Sequence, residues 1–431
     1  MESESEPRPC HNQLAVYPLK GTSKVRLQKK QNHTVRDLEP RERAASGLLR
    51  PWTLRAYYRI DAMRWLIPFV LLAAVELPAL AAKRETVGQL EEVLGAAIVE
   101  HKTDAEIARQ IKNVEFSEQL TELRLDRLAA QLALGPESRL SLQLLADRSA
   151  FLDPPWSEML SAAAPDDVAQ QNMLRAARSY VAQTLPRLPN FLATRIVNRY
   201  DDSPQALKQG GWPVRAGLHE VGTSSREISV RSEQDKQSVS KGFASSQEQS
   251  ELTSWGEFGF LLTTIINDTQ SGKVTWSHWE RTAEGRTAVF HYSVASSASH
   301  YEVIGTVNHG PKTSFTAQHP NTSIIRTTPG YFGSLWLDPA TGTILHTTIE
   351  TDPGGSGQFR RAAVMVQYGP VQIGDRMFIC PLRSVALYDA IVDATNSLGN
   401  APTEWLNETI FTGYHRFAST TRILTDSVTP E

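Results

Sequence analysis

The sequence predicts an α+β fold: an N-terminal helical segment, then a large curved antiparallel β-sheet, half-barrel-like, with an embedded helix. Three observations predict it. Apolar residues recur at three- and four-residue spacing between Lys83 and Leu185, the period falls to two from Phe191 onward, and tight turns rather than crossover helices join the strand-like runs.

In the helical segment, residues 83–186, Thr103-Asp-Ala-Glu106 is a capping-box sequence: the Thr103 hydroxyl can accept from the third helical N–H while Glu106 reaches back. Leu120, Leu123, Leu128 and Leu132 follow at helical spacing. Pro136 suits the first turn of a helix carrying Leu140, Leu144 and Leu145. After Pro154-Pro155, the residues Val168, Leu174, Ala177, Val181 and Leu185 mark a final amphipathic helix that Pro186 and Pro189 end. A small bundle of four or five helices is expected, its Leu and Val stripes forming core.

Strands are expected across 191–425, from ATRIVNRYDD through WPVRAGLHEVGTSSREISV and VTWSHWERTAEGRTAVFHYSVASSASHYEVIG to a last strand in HRFASTTRIL. WGEFGFLLTTIIN, Trp255 to Asn267, reads as a buried helix interrupting them. Glu233–Gln249, Asn308–Asn321 and 389–403 read as loops. Two hairpins stand at the heart of the sheet. The first turns at Asp338-Pro339-Ala340-Thr341-Gly342, where proline presets φ and glycine can take φ > 0; the second turns at Ile373-Gly374-Asp375-Arg376.

With 431 residues, 40% of them apolar, the chain can build one large or two ordinary cores. Residues 1–62 hold twelve basic against seven acidic side chains, so they carry +5 of a net −3 and leave −8 on the remainder. An acidic body is a poor partner for nucleic acid, which needs a basic face. Met63 to Ala82, MRWLIPFVLLAAVELPALAA, has a basic start, a short apolar run and small residues at its end, as a secretory signal does. Pro68, Glu76 and Pro78 interrupt it well short of the about 20 apolar residues of a spanning helix. A periplasmic or secreted product is expected, touching the membrane only through this segment should it stay uncleaved. Residues 1–62 then precede the signal. They are polar and without a period, so they read as disordered and outside the native protein, with translation starting at Met63. Cys10 and Cys380 are too few for a disulfide scaffold or a multi-cysteine zinc site.

No catalytic, cofactor-binding or metal-ligating residue is assigned. Asp166-Asp167 sits at a helix start, where carboxylates suit the dipole, and Asp201-Asp202 precedes a turn. His291 and His300, which a hairpin can bring together, are the best metal conjecture, yet HExxH is absent. GxSxG is also absent, and Ser238-Val-Ser-Lys241 lies in a polar loop without the companion motifs of penicillin-recognising enzymes. Gly354-Gly355-Ser356-Gly357 lacks the Lys-Ser/Thr of a phosphate loop. Cys380, between Ile379 and Pro381, reads as an inert core thiol. Asn267, Asn321 and Asn407 carry glycosylation triplets. What remains is aromatic: Trp255, Trp276, Trp279, Tyr331 and Trp336, with Phe332, read either as core or as an apolar ligand groove between sheet and helix. Strand alternation would put Trp276 and His278 on one side and Trp279 on the other.

The signal, the successive strands with an embedded helix, and the Leu337-Asp-Pro-Ala-Thr-Gly-Thr-Ile-Leu345 hairpin resemble the half-barrel of LolA/LolB-type lipoprotein-sorting proteins, over Phe191 to Leu424. That resemblance implies a curved sheet around an apolar cavity for acyl chains. The strings FLDPP, PNFLATR, GWPVRAG, LTSWGEFG, WSHWE, YGPVQIG and YHRF are similar to secreted proteins of acidobacteria that carry no established activity, so no functional residue transfers. The expected function is a non-enzymatic extracytoplasmic binding protein for a lipid, lipoprotein or other apolar ligand. The alternatives are a cell-envelope protein-interaction module and a secreted hydrolase with dispersed catalytic residues.

Overall fold

In this computed structural model the described residues are 14–18, 84–202, 217–230, 254, 256–282, 285–308, 322–351, 359–390 and 403–416. All belong to one compact unit, residues 1–19 with 84–431; the second unit, Lys20–Lys83, lies outside the described residues, as does Met63–Ala82, the segment expected to be a signal.

Local sequence dictates the helices. Thr86 caps α1 (Val87–Val99) in a capping box with Gln89, and the buried positions Val87, Leu90, Leu94 and Ala97 fall three or four apart. Thr103 and Glu106 form the expected box ahead of α2 (Asp104–Lys112), the Thr103 N–H donating to Glu106 Oε2 at 2.8 Å. Thr121 caps α3 (Glu122–Gln131), and Pro136 opens α4 (Pro136–Ser149). Leu123 and Leu140 face solvent; Leu125 and Leu142 take the core positions instead. These four helices share one core with Val114, Phe116 and Leu120.

The next helix departs from a simple bundle. Asp166 accepts from the Ala169 N–H at 2.7 Å and caps α5 (Asp167–Gln183). Its Met173, Ala177 and Val181 pack with the sheet rather than with α1–α4, alongside Leu261, Leu262, Ile265 and Ile266 of α6 (Phe260–Asp268). The embedded helix therefore exists, preceded by a turn at 256–259.

The sheet is open, nine-stranded and antiparallel throughout. Its strands are β4 (Phe191–Asp201), β5 (His219–Val230), β6 (Lys273–Thr282), β7 (Gly285–Val294), β10 (Tyr331–Leu337), β11 (Ile344–Thr351), β12 (Phe359–Ile373), β13 (Arg376–Ala390) and β14 (Thr403–Arg416). They lie in the order β5-β4-β14-β13-β12-β11-β10-β7-β6. A smaller sheet joins β8 (Tyr301–Asn308) to β9 (Thr322–Thr327) and to β1 (Leu14–Pro18), which falls inside the stretch expected to be unstructured; Arg84–Glu85 and Glu115–Phe116 form a short parallel pair, β2 and β3.

Both central hairpins form. Asp338 Oδ1 accepts from the Ala340 N–H at 2.8 Å and Gly342 sits at φ +70°. A Cβ there would meet the Ala176 carbonyl carbon at 2.3 Å, so the tip lies against the α5 backbone, a second reason for glycine. Gly374 at φ +67° closes β12 onto β13, whose pairing runs from Ile373 opposite Arg376 to Phe359 opposite Ala390. The final described strand is not HRFASTTRIL: β14 starts at Thr403, and only His415 and Arg416 of that stretch belong to it. The polar triplet at Asn407 disguised a strand whose Leu406 and Phe411 are buried; Asn407, 5% exposed and mid-strand, is no glycan acceptor.

Apolar side chains cover both faces of the sheet. Ala362, Val364 and Val366 of β12 meet α5 and α6, while the alternate residues Ala363 and Met365 join Val385, Leu387 and Leu406 beneath Leu144 and Ala150 of the α4 end. An ion triad pins α4 there. Arg383 of β13 reaches Asp147 Oδ1 at 2.5 Å and Glu408 Oε1 at 2.8 Å, its side chain 17% exposed. Burial works against the guanidinium charge, but the two carboxylates outweigh it and hold its pKa up; burial pushes the Asp147 carboxyl up in spite of Arg383. Arg383→Met leaves the buried Asp147 and the partly buried Glu408 without their cation and should destabilise by about 3–5 kcal/mol in urea unfolding, whereas Asp147→Asn, which keeps the Glu408 pair, should lose much less. A loss below about 1 kcal/mol in Arg383→Met, the range of an exposed pair, would show that the triad does not dock α4.

Candidate functional site

The aromatic residues singled out from sequence divide between the two faces of the sheet. A register shift between Trp276 and His278 breaks the alternation, so Trp276 and Trp279 stand side by side with ring centroids 4.8 Å apart. Both belong to the core under α5 and α6, as does Tyr331, whose hydroxyl donates to the buried Asp268 carboxylate at 2.8 Å. Trp279 donates through Nε1 to the Ala163 carbonyl at 2.9 Å and carries the Arg286 guanidinium over its ring. Trp336 lies on the other face, stacked on His346 at 4.1 Å and donating to Glu280. Trp255 lies outside the described residues. The side chains at Trp276, Trp279 and Tyr331 therefore meet helices.

A cleft does open on the opposite face, with a volume of about 400 Å³. Strands β6, β7, β10 and β11 supply Lys273, Thr275, His291, Ser293, Phe332, Ser334, Thr348 and Glu350, and the segment after α4 supplies Phe151, Leu152 and Asp153. The strand register explains the grouping. Thr275 pairs with His291, and His291 with Ser334, so their side chains form one row across the sheet; Lys273, Ser293 and Phe332 form the row beside it.

Hydrogen bonds fix that row. The Ser334 N–H donates to Thr348 Oγ1 at 3.0 Å. Ser334 Oγ is 2.8 Å from His291 Nδ1, and His291 Nε2 is 3.3 Å from Asp153 Oδ1. A carboxylate only accepts, so Nε2 carries the imidazole proton and Nδ1 accepts from the serine hydroxyl. The His291 hydrogen bond holds the Asp153 carboxyl below the usual carboxylate range against partial burial. Asp153 is itself positioned: its carbonyl accepts from the Gln119 N–H at 2.8 Å, and Leu152 closes a turn on Ser149 at 2.9 Å. Arg361 lies over the Phe151 ring, 5.0 Å from its centre, and pairs with Glu350 at 2.6 Å.

No protein-family model, no curated protein and no solved structure matches this chain. The site stands on its geometry alone.

The remaining candidates resolve into structure. Asp166 is a helix cap, and Asp202 accepts from the Glu404 N–H at 2.8 Å at the end of β4. His291 and His300 hold different carboxylates, His300 Nδ1 lying 2.6 Å from Asp268, and among the described residues no three metal-binding side chains converge. His346, stacked on Trp336 with Nε2 shut off from solvent, has its pKa lowered to about 4 by burial and stays neutral. Ser238–Lys241, Asn321 and Gly354–Gly357 lie outside the described residues. Sequence had picked His291 for a different role and had passed over Asp153 and Ser334, which no local motif marks.

Cys380 is fully buried and its thiol is pushed up to about 12 by desolvation. Because that raises the pKa, the thiolate is scarce near pH 8, and peptide mapping after an aromatic disulfide reagent should find Cys380 unmodified in the native protein yet modified once urea unfolds it. Full reaction without denaturant would place Cys380 at the surface.

Proposed function

We propose that this protein is an extracytoplasmic binding protein that holds a small amphiphilic ligand, lipid-like in having an apolar body and a polar end, in the cleft between Phe151–Asp153 and strands β6, β7, β10 and β11. The observation that carries this reading is the lining. Two aromatic rings, Phe151 and the 44% exposed Phe332, stand over a row of hydroxyl, imidazole and carboxylate groups within about 400 Å³. That size lies in the ordinary range for small-molecule sites, which are mostly apolar with a few placed polar groups. The apolar part of the ligand rests on the rings, and its polar end meets Lys273 and His291. Export rests on the Met63–Ala82 segment, and the lipid-like class draws on the resemblance to lipoprotein-sorting half-barrels. Among the described residues no helix is long and apolar enough to cross a membrane.

An interaction module of the cell envelope is the second reading, favoured by Trp156, which is 85% exposed within the helical segment, between α4 and α5.

Titration with a fluorescent anilinonaphthalene sulfonate tests the cleft. Removing a ring that buries against the ligand removes about 1.5–3 kcal/mol. Phe332→Ala should therefore weaken the dye about tenfold or more, and Phe151→Ala similarly. Unchanged affinity in both variants would sink the reading.

A further inference from the structure

We propose that Ser334, His291 and Asp153 make this cleft an ester-cleaving site, Ser334 as nucleophile, His291 as its base and Asp153 as the residue that positions the base. The proposal rests on the cleft taking a small amphiphile, and adds that this molecule is an ester.

Three observations carry it. The Ser334 hydroxyl lies 2.8 Å from His291 Nδ1 and the Asp153 carboxylate stands as an ion-pair partner 3.3 Å from His291 Nε2, which is the order a serine–base–carboxylate relay requires. The two ring nitrogens are exchanged relative to the familiar serine protease arrangement, and the chemistry depends on roles rather than on which nitrogen serves. The three side chains come from two strands and a separate segment, and they meet at a cleft with room for a substrate. Lys273 lines the same cleft as the cation available to a developing oxyanion.

In the first step Ser334 Oγ bonds to the acyl carbon, its proton passes to His291 Nδ1, and the carbonyl electron pair moves onto oxygen. Collapse breaks the carbon–alkoxy bond, and the leaving alkoxide takes the proton from Nδ1. Water then attacks the acyl-Ser334 ester, giving one proton to His291 that returns to Ser334. The sum is ester plus water to acid plus alcohol, with no further reactant. Ser334 is only 8% exposed, so the acyl group must be short, and the alcohol carries the apolar body that rests between Phe151 and Phe332.

The full chain is incubated with p-nitrophenyl acetate and, separately, with a small alkyl fluorophosphonate followed by peptide mass mapping. The expected result is turnover, an adduct on Ser334, and loss of both by at least 100-fold in Ser334→Ala and His291→Ala. Asp153, Lys273 and Glu350 line the cleft with His291, and His278 acts on the Asp153 carboxylate through its charge. Asp153→Asn should lower the maximum rate and alter the shape of its pH profile, and Asp153→Glu should restore both. No adduct on Ser334, or turnover that survives Ser334→Ala, overturns the relay. Dye binding without labelling overturns the relay alone and leaves the binding reading intact. Labelling without dye binding supports the relay and removes the amphiphile reading, and retained dye binding in an inactive Ser334→Ala protein supports both.

Discussion

The constraint behind this architecture is a sheet that is apolar on both faces through its middle. Such a sheet needs two covers, and the chain supplies them from different places. Helices α5 and α6 close one face over β6–β7 and β10–β13, while the end of α4 closes the other over β4 and β12–β14. The second cover has an edge. Beyond Phe151 the uncovered face turns polar, with Thr275, His291, Ser334 and Glu350 where β12 and β13 carry Ala, Val and Leu. The cleft is the place where the second layer stops, and its polar floor is what an unburied sheet surface requires.

Ionic contacts decide how far that second layer reaches. Apolar packing alone is non-directional, so Leu144 and Ala150 could sit on the sheet in more than one register. Arg383 between Asp147 and Glu408, with Arg148 on Glu404 at 2.9 Å, selects one. A buried ion pair adds little net stability over an apolar substitute, yet mispairing it leaves charge without a partner, and that penalty suits registration.

The fold was legible where a single residue carries a local reason. The Thr103–Glu106 box, Pro136, Gly342 and Gly374 each mark an element end by their own backbone chemistry, and each is found there. The placement of α5 was not legible, because an apolar stripe says that a helix must be covered and not by what. The bulge at Trp276–His278 was equally hidden: one extra residue reverses every later side chain in the strand, and nothing in VTWSHWE announces it. At the site, His291 and Ser334 are 43 positions apart and are joined only by the β7–β10 register, while Asp153 arrives from a different layer. Constellations assembled by topology leave no spacing to read.

A serine facing a histidine across two strands is ordinary sheet chemistry, worth a fraction of a kcal/mol to about 1 kcal/mol as a cross-strand pair. Alone it would leave the imidazole free to adopt either tautomer. The carboxylate removes that freedom, since Asp153 beside Nε2 keeps the proton there and leaves the lone pair of Nδ1 toward Ser334. Asp153 stands where it does because Leu152 turns on Ser149 and its own carbonyl holds Gln119, and Ser149 ends a helix that Arg383 pins to the sheet. The protonation pattern of His291 is thus set by the docking of α4 onto strands at the far side of the same sheet face. Of the three side chains, Asp153 is the one whose place depends most directly on how the two layers are joined.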